Sequence, residues 1–338
     1  MTGLPTRRMA CGYRAILALL AVGAMPAAVV AAACLLGGHA AQAHAVAGPR
    51  VFVGTLTVDD PGVADEAALP TVTYQRQGAG DAAGPSHNVN ISGEFAKRIT
   101  GNFGMAVHVG YNINRVMGGK TFSGFDNIEV SAKYEVYVNP GHEFMASVGV
   151  VREFGGTGAA RVGADRFGAT TPTVYFGKGL GDLPIGYLRP LAVTGTLGYQ
   201  IADVRLRSSV GVDPDSGLAT VSYNAGNSNY WVGGLTLQYS IPYLQSQVKD
   251  LGLPAFFSRL TPLVEIAYAS PATRPSAGGT RFTIAPGIVY AGDSYQLAIA
   301  ALIPGNKATG SNVGVIAQLH LYFDDIFPIS LGRPLFGR

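Results

Sequence analysis

Polar and apolar residues alternate one by one along much of the chain, which is the period of a β-strand with two different faces. The segment 128–138 shows this alternation most clearly. Its apolar positions are Ile128, Val130, Ala132, Tyr134, Val136 and Val138, and its polar positions include Glu129, Ser131, Lys133 and Glu135. A helix would scatter these charged side chains around its axis, whereas a strand places them all on one side. The alternation therefore predicts a strand with one apolar and one polar face.

The same alternation recurs along the chain and predicts twelve strands. They lie near residues 70–77, 88–98, 102–115, 126–138, 142–153, 170–178, 189–201, 230–241, 260–269, 280–290, 295–303 and 313–323. Tight turns rich in Gly, Asn, Asp and Pro alternate with longer connections, as in transmembrane barrels whose tilted strands cross a bilayer in about ten residues. The predicted fold class is all-β, a closed antiparallel transmembrane β-barrel of about twelve strands.

The composition agrees with a membrane-spanning barrel. Only 13% of the residues are charged, which is few for a surface that faces water. After residue 43 there is no apolar run long enough for a spanning helix, and a barrel needs none because every second residue meets the lipid. The side chains that we expect to face lipid are Val107, Val130, Val136, Leu197 and Leu237.

The first 43 residues are predicted to be a cleaved signal peptide. Three arginines precede the apolar stretch 16–36, and Ala-Gln-Ala at 41–43 fits the small-x-small cleavage pattern. The stretch is long enough that an uncleaved anchor is the alternative, but Pro26 and the cleavage pattern favour removal. Both cysteines, Cys11 and Cys34, would leave with it. The mature chain then has no thiol for disulfides or metal ions and no formal net charge, which argues against nucleic acid as a partner.

The predicted mature chain has three parts. They are an N-terminal segment at 44–69, the transmembrane barrel at 70–323 and a periplasmic C-terminal tail at 324–338. The N-terminal segment contains four carboxylates, which are Asp59, Asp60, Asp65 and Glu66. It either folds into the lumen as a plug or hangs in the periplasm as an acidic tail, and the tail is favoured because charge runs are usually solvated.

Nine side chains share the polar parity of their strands and are predicted to line the lumen. They are Glu94, Arg98, His108, Glu129, Lys133, Glu135, Glu265, Gln318 and His320. Charges of both signs inside a barrel either brace it as ion pairs or line a pore that screens solutes. The two histidines could also form an acid/base pair, but ordinary lumen-lining histidines are the simpler interpretation. No hydrolase, metalloprotease or phosphate-binding motif is present, so we predict no catalytic residue, metal site or cofactor.

Two connections depart from the pattern of short and long loops. In 243–259 the residues Leu244, Val248 and Leu251 recur at helical spacing, which predicts either a short amphipathic helix at the periplasmic rim or an irregular turn. The outer connection 203–229 is the longest. It either folds into the mouth as a gate or stays mobile in solvent. Its charged residues, which we consider gating candidates, are Arg205, Arg207, Asp213 and Asp215.

Several stretches carry a resemblance to a known family. They are residues 175–184, 188–195, 243–254 and 316–328. Together they resemble a group of proteobacterial outer-membrane proteins akin to the phenol meta-pathway transporter-like family, and the resemblance extends over most of the mature chain. It implies an outer-membrane barrel with a role in transport, and it implies no site residues. The chain departs from the usual barrel ending because fifteen residues follow Phe323.

The function predicted from the sequence is a passive outer-membrane channel or uptake pore for small molecules, apolar or aromatic ones included. One alternative is a structural or adhesive barrel with a sealed lumen, and a more distant one is an outer-membrane hydrolase. The predicted partners are outer-membrane lipid, the barrel-assembly machinery and a small-molecule solute, without nucleic acid.

Overall fold

The protein is described here by a computed structural model, which covers residues 45–78, 85–212, 218–276 and 278–337. The predicted signal peptide lies outside the described residues. The strands are β1 (Ala45–Ala47), β2 (Arg50–Phe52), β3 (Glu66–Gln77), β4 (Ser86–Arg98), β5 (Phe103–Val116), β6 (Thr121–Phe125), β7 (Ile128–Asn139), β8 (Phe144–Phe154), β9 (Ala169–Gly179), β10 (Leu191–Ala202), β11 (Ser208–Val212), β12 (Ala219–Tyr223), β13 (Tyr230–Tyr239), β14 (Leu260–Pro271), β15 (Arg281–Ala291), β16 (Tyr295–Pro304) and β17 (Gly314–Tyr322).

Thirteen of these strands form a closed antiparallel ring of twelve members. Each strand of the ring pairs with the next along the chain, from β3 to β17, and β17 returns to pair with β3. Strands β6 and β7 lie end to end along β5 and count as one member of the ring. The remaining strands form two separate hairpins, β1–β2 and β11–β12. The predicted closed barrel of twelve strands is confirmed.

The two faces of the barrel differ as the alternation predicts. On the outer face Leu197 and Leu237 are 44% and 48% exposed, whereas Thr194 and Thr236 on the inner faces of the same strands are fully buried. A row of exposed aliphatic side chains around the ring therefore forms an apolar outer surface, which suits contact with lipid. Within the described residues, no helix is both long and apolar enough to cross a membrane.

Strand β7 contains a bulge that the alternation does not reveal. Glu135 lies opposite Ser147, but Tyr137 lies opposite Ala146, so the register shifts between them. A bulge of this kind moves every later side chain to the other face. Val138 consequently lies opposite the buried Met145. In the strand register Val138, whose side chain is 38% exposed, therefore has the inward parity of Met145, so the predicted alternation with Val136 does not continue past the bulge.

Short helical turns occupy several connections. They are the 3₁₀ turns Pro140–His142, Ala160–Val162, Gly186–Leu188 and Phe257–Arg259, the α-helical turns Ile241–Tyr243 and Phe323–Ile326, and the π-helical turn Leu244–Val248. The amphipathic helix predicted over 243–259 is thus limited to two consecutive turns that end at Val248. Gly252, with a φ of +61°, and Pro254 interrupt the helical conformation before the separate 3₁₀ turn Phe257–Arg259.

The barrel has two unlike ends. The end with the short turns, such as Pro140–His142, is called the turn end below, and both β1–β2 and the C-terminal residues lie there. The opposite end, with the connections 155–168 and 203–229, is called the loop end. If the protein spans an outer membrane, the turn end faces the periplasm.

Candidate functional site

Residues 45–65, called the inner segment below, lie inside the turn-end half of the barrel. Phe52 is fully buried and packs against Met145 and Ala192 from the inner faces of β8 and β10. Its ring fits beside Gly177, where a Cβ atom would lie only 3.0 Å from the ring. The interpretation of this segment as a solvated acidic tail does not agree with this burial.

Arg50 anchors the start of the inner segment at the turn end. Its Nε donates to Glu143 Oε2 at 3.0 Å, and its Nη1 donates to the carbonyl oxygen of Pro190 at 3.1 Å. The guanidinium lies 3.7 Å from the ring centre of Tyr243, whose hydroxyl donates to Glu143 Oε1 at 2.6 Å. A buried charge is tolerated only when it is paired and hydrogen-bonded, and Arg50 meets both conditions.

Glu265 of β14 holds the middle of the inner segment. Its carboxylate accepts the backbone N–H groups of Leu56, Thr57 and Val58 at 2.8, 2.5 and 3.1 Å, and it also accepts the hydroxyl of Thr57. Successive N–H groups that converge on one carboxylate form an anion-binding nest of backbone dipoles. Glu265 is fully buried, so this residue, predicted to line the lumen, is an anchor for the inner segment.

Lys133 and Glu135 of β7 bind the same segment from across the barrel. Lys133 Nζ lies 2.9 Å from Asp59 Oδ2 and donates to the carbonyl oxygen of Asp60 at 2.8 Å. Glu135 Oε1 accepts the backbone N–H of Val63 at 2.7 Å. Since β7 and β14 are five strands apart in the ring of twelve, the inner segment crosses the lumen from one wall to the other.

A cluster of charges joins the end of the inner segment to the C-terminal residues. Asp65 is fully buried, and its carboxylate lies 2.6 Å from Lys97 Nζ and 2.8 Å from Arg98 Nε. Arg98 also pairs with Asp324 at 3.2 Å, and two N–H groups of the C-terminal tail donate to the carbonyl oxygens of residues 98 and 99. Burial raises the pKa of Asp324 to about 6, against the opposing effect of Arg98. Arg98 therefore lies at the turn-end rim, where it links the two terminal segments.

The other carboxylate of the acidic run, Glu66, belongs to the barrel. It is the first residue of β3, and its carboxylate lies 3.0 Å from Nε2 of His320 on β17. Gln318, also on β17, donates to the hydroxyl of Thr71 at 2.9 Å. These contacts brace the seam at which the first and last strands of the ring meet.

His320 and His108 do not meet. In the strand register, His320 lies opposite Ala68, which lies opposite Glu94, which lies opposite His108. Three strand spacings of about 4.8 Å separate the two histidine backbones by roughly 14 Å. The nearest carboxylate to His108 is that of its neighbour Glu129, at 3.9 Å. The acid/base pair considered from the sequence is therefore not assembled.

The described residues of the outer connection 203–229 are mostly exposed, although Leu206 and Ser228 are buried. Its hairpin β11–β12 carries side chains such as Val210 and Tyr223, which are 75% and 62% exposed. Among the residues that the structure describes, neither Arg205 nor Arg207 forms an ion pair, and Asp213 and Asp215 lie outside those residues. The gate that would place these arginines against lumen carboxylates is thus not seen.

A cavity of about 320 Å³ lies between the middle of the inner segment and the loop end. Its floor includes Thr57 and Asp59, and the side chain of Asp59 is 56% exposed. Its wall is rich in hydroxyl groups, which belong to Thr171, Thr173, Tyr175 and Thr196. In the described part of the chain, no three His, Cys, Asp or Glu residues are arranged to hold a metal ion.

The cluster of Arg50, Glu143 and Tyr243 was not predicted from the sequence. Glu143 follows a tight turn, where a carboxylate is ordinarily solvated, and Arg50 lies more than ninety residues before it. The only local sign is that Arg50 is a single charge between apolar residues 45–47 and 51–53. A pairing between segments so far apart in sequence cannot be read from either one.

Comparison with solved structures places the fold among outer-membrane barrels. An outer-membrane channel from Pseudomonas putida F1 is similar with a TM-score of 0.50 at 8% identity, over 81% of this chain and 100% of that chain. The KdgM porin is similar with a TM-score of 0.43 at 10% identity, over 76% of this chain and 99% of that chain. The Ralstonia pickettii toluene transporter TbuX is similar with a TM-score of 0.35 at 11% identity, over 76% of this chain and 88% of that chain. At these identities the similarity shows the fold alone.

No family model and no curated protein matches the chain. The family resemblance drawn from the sequence therefore stays a prediction in its specific form. Its general content, an outer-membrane type of β-barrel, agrees with the structure.

Proposed function

We propose that this protein is an outer-membrane channel or transporter for small molecules, whose lumen is closed at rest by its own inner segment. The observation that carries the proposal is the inner segment itself, which crosses the barrel and is bound on both walls by Glu265 and Lys133. A segment that fills the lumen of its own barrel through specific contacts is the arrangement expected of a plugged channel.

The outer surface supports insertion in a membrane. Aliphatic and aromatic side chains are exposed around the ring, and lipid removes the cost of exposing them to water. A signal peptide at 1–43 would deliver the chain to that membrane and leave the mature protein to begin directly before β1. Outer-membrane lipid and the barrel-assembly machinery are then the expected partners.

The chemistry of the plug contacts supports a segment that can move. Hydrogen bonds and ion pairs on Glu265, Lys133 and Glu135 hold its middle and its second half. Water can replace such contacts when the segment leaves, and the exposed inner wall would remain polar. Apolar packing adds to these contacts through the side chains of Phe52, Val53 and Leu56.

A sealed structural barrel remains the second candidate, because the burial of Phe52 and Arg50 favours a lumen that stays filled. The two candidates differ in whether the inner segment moves. If it never moves, the barrel passes no solute through its turn end.

A reversible covalent lock tests this difference. Gly104 of β5 faces Val63 of the inner segment, and a Cβ at Gly104 would lie 2.6 Å from Val63 Cγ1, so the double variant Val63→Cys/Gly104→Cys is suited to a disulfide. We expect the oxidised variant to be silent in a planar bilayer and the reduced one to conduct, with each single variant conducting under both conditions.

Equal conductance of the oxidised and reduced double variants would show that the inner segment is not the gate. A folded barrel that passes no current in the unmodified protein or in any variant would favour the sealed barrel. Heat-modifiable migration on a gel confirms folding in each case.

A further inference from the structure

Four polar groups on one inner wall have no hydrogen-bond partner among the residues that the structure describes. They are the hydroxyls of Thr194, Thr236 and Thr261 and the side-chain nitrogen of Gln238. Their residues are fully buried or 1% exposed. They belong to neighbouring strands, β10, β13 and β14, and face the inner segment.

These groups form a continuous line with the cavity. Thr194 on β10 lies opposite Thr236 on β13. Gln238 follows Thr236 by two residues and lies opposite Leu263 on β14. Thr261 precedes Leu263 by two residues on that strand. Towards the loop end, Thr196 on β10 continues the line into the cavity wall. The residues of this line, called the polar track below, are Thr171, Thr173, Thr196, Thr194, Thr236, Gln238 and Thr261.

The buried hydroxyls of the track do not serve the fold. A buried hydroxyl without a partner loses its hydration and gains nothing in return. Valine has nearly the same shape, suits a strand equally well and would fill each position without this cost. Departures of this kind from local stability are expected where a site has a function.

The chemistry of the track indicates its ligand. Every member is uncharged, and a threonine hydroxyl both donates and accepts a hydrogen bond. Glu265, the carboxylate nearest in the strand register, is already bonded to the inner segment. The carboxylates of Asp59, on the cavity floor, and of Glu129, on β7, would repel anions.

We propose that the polar track binds and passes small, uncharged, hydroxyl-rich solutes of about sugar size. This inference rests on the proposed channel function and names its substrate class. The open cavity is the entry site, with Thr171, Thr173 and Thr196 available to the solute. Displacement of the inner segment, which contacts the wall through Val53 at Gln238 and through Val58 at Gly234, exposes the rest of the track.

Liposome swelling with the full-length protein tests the proposal. The probes are D-glucose and D-gluconate, which are similar in size and differ in charge. The test variant is Thr194→Val/Thr236→Val/Thr261→Val, which removes three hydroxyls and keeps the shape of the wall. The control is Thr73→Val on the inner side of β3, which lies at least four strands from every strand of the polar track in the ring.

We expect glucose to enter faster than gluconate in the unmodified protein. The triple variant should slow glucose roughly fivefold or more, which corresponds to the loss of about one net hydrogen bond. Potassium conductance should stay within about twofold because the pore keeps its shape. Thr73→Val should leave glucose entry unchanged.

The outcomes separate the inference from the proposed function. Gluconate entry as fast as glucose, or a triple variant that is more heat-stable but transports glucose normally, would overturn the polar track while leaving the channel intact. Absence of both potassium current and swelling in the unmodified, folded protein would overturn the channel and the track together.

Discussion

The inner segment and the outer connection 203–229 are both long, but their described residues lie in different surroundings. The inner segment 45–65 is buried and bound to both walls of the lumen. The hairpin β11–β12 of the outer connection 203–229 is exposed in its described residues. Both carry several charges, so charge does not decide which of them enters the lumen.

The difference lies in the partners that the inner wall offers. At the turn end, Glu265, Lys133 and Glu135 point inward and match the backbone groups and carboxylates of the inner segment. The outer connection is tied by the ion pair of Asp203 with Arg152, at 2.6 Å on the exposed rim. Buried hydrogen bonds to charged groups are worth more than exposed ion pairs, which water and salt weaken. The inner segment is therefore the stronger closure.

The largest effect is expected from deleting each segment in turn. Deletion of residues 45–64 should raise single-channel conductance several-fold, because it removes the structure that fills the turn end. Deletion of residues 208–223, which removes the exposed hairpin, should leave conductance unchanged. Planar-bilayer recordings measure both, and heat-modifiable gel migration verifies that each barrel is folded.

The reverse result would exchange the roles of the two segments. Higher conductance after the hairpin deletion, together with unchanged conductance after deletion of 45–64, would make the outer connection the gate. It would also show that the lumen has a path around the inner segment.

The second expected effect comes from the central anchor. Glu265→Gln should weaken the hold on residues 56–58 by about 2–4 kcal/mol, because an amide replaces the carboxylate that accepts their N–H groups. Hydrogen exchange of those amides should then accelerate roughly thirtyfold or more. Glu129→Gln is the matched control, because Glu129 also faces the lumen but has no contact with the inner segment in the described structure. Equal acceleration in both variants would indicate a general loosening of the barrel.

The strands of this protein could be predicted from its sequence because each one carries its own signal. A two-faced strand in a membrane barrel must alternate, and the alternation gave bounds close to those of β4, β8 and β14. The start of β3 was missed by four residues, since Glu66 resembles the acidic run before it. The bulge after Glu135 was missed because an inserted residue changes the face of Val138 without changing its type.

The inner segment could not be predicted in the same way. Its position depends on contacts such as Arg50 with Glu143 and Leu56 with Glu265, each between residues far apart in sequence. In the sequence alone, Asp59 and Asp60 resemble a run of charged residues that faces solvent. Their position inside the barrel is explained by their contacts with the inward-facing Lys133. Glu265 was identified as an inward residue by its parity, but the parity gives no information on what it binds.

A third and smaller effect is expected at Lys133. Lys133→Met should weaken the hold on the inner segment by about 1–2 kcal/mol, less than Glu265→Gln, because Asp59 is half-exposed and water can replace the ammonium group. Hydrogen exchange at residues 59–63 measures this loss. Arg207→Gln in the outer connection is the control and should change nothing. A loss at Lys133 larger than at Glu265 would place the main anchor on β7 instead of β14.

The smallest effect is expected at the anchor of the outer connection. The hydrogen bonds from Arg152 lower the pKa of Asp203 below its ordinary value of 3.8. A lowered carboxyl pKa contributes stability that is fully present above 3.8 and is lost only as the pH falls through the lower, folded-state value. Because the pair is exposed, Asp203→Asn should leave conductance and the thermal midpoint unchanged at pH 7, and the unmodified protein should show no change from this pair between pH 7 and 5. Thermal unfolding in detergent at pH 7, 5 and 3 measures this. Asp203→Asn at pH 7 could instead lower the thermal midpoint clearly or change the conductance. Either result would mean that the outer connection is held more firmly than an exposed ion pair allows. The difference in anchoring between the outer connection and the inner segment would then be smaller than we infer.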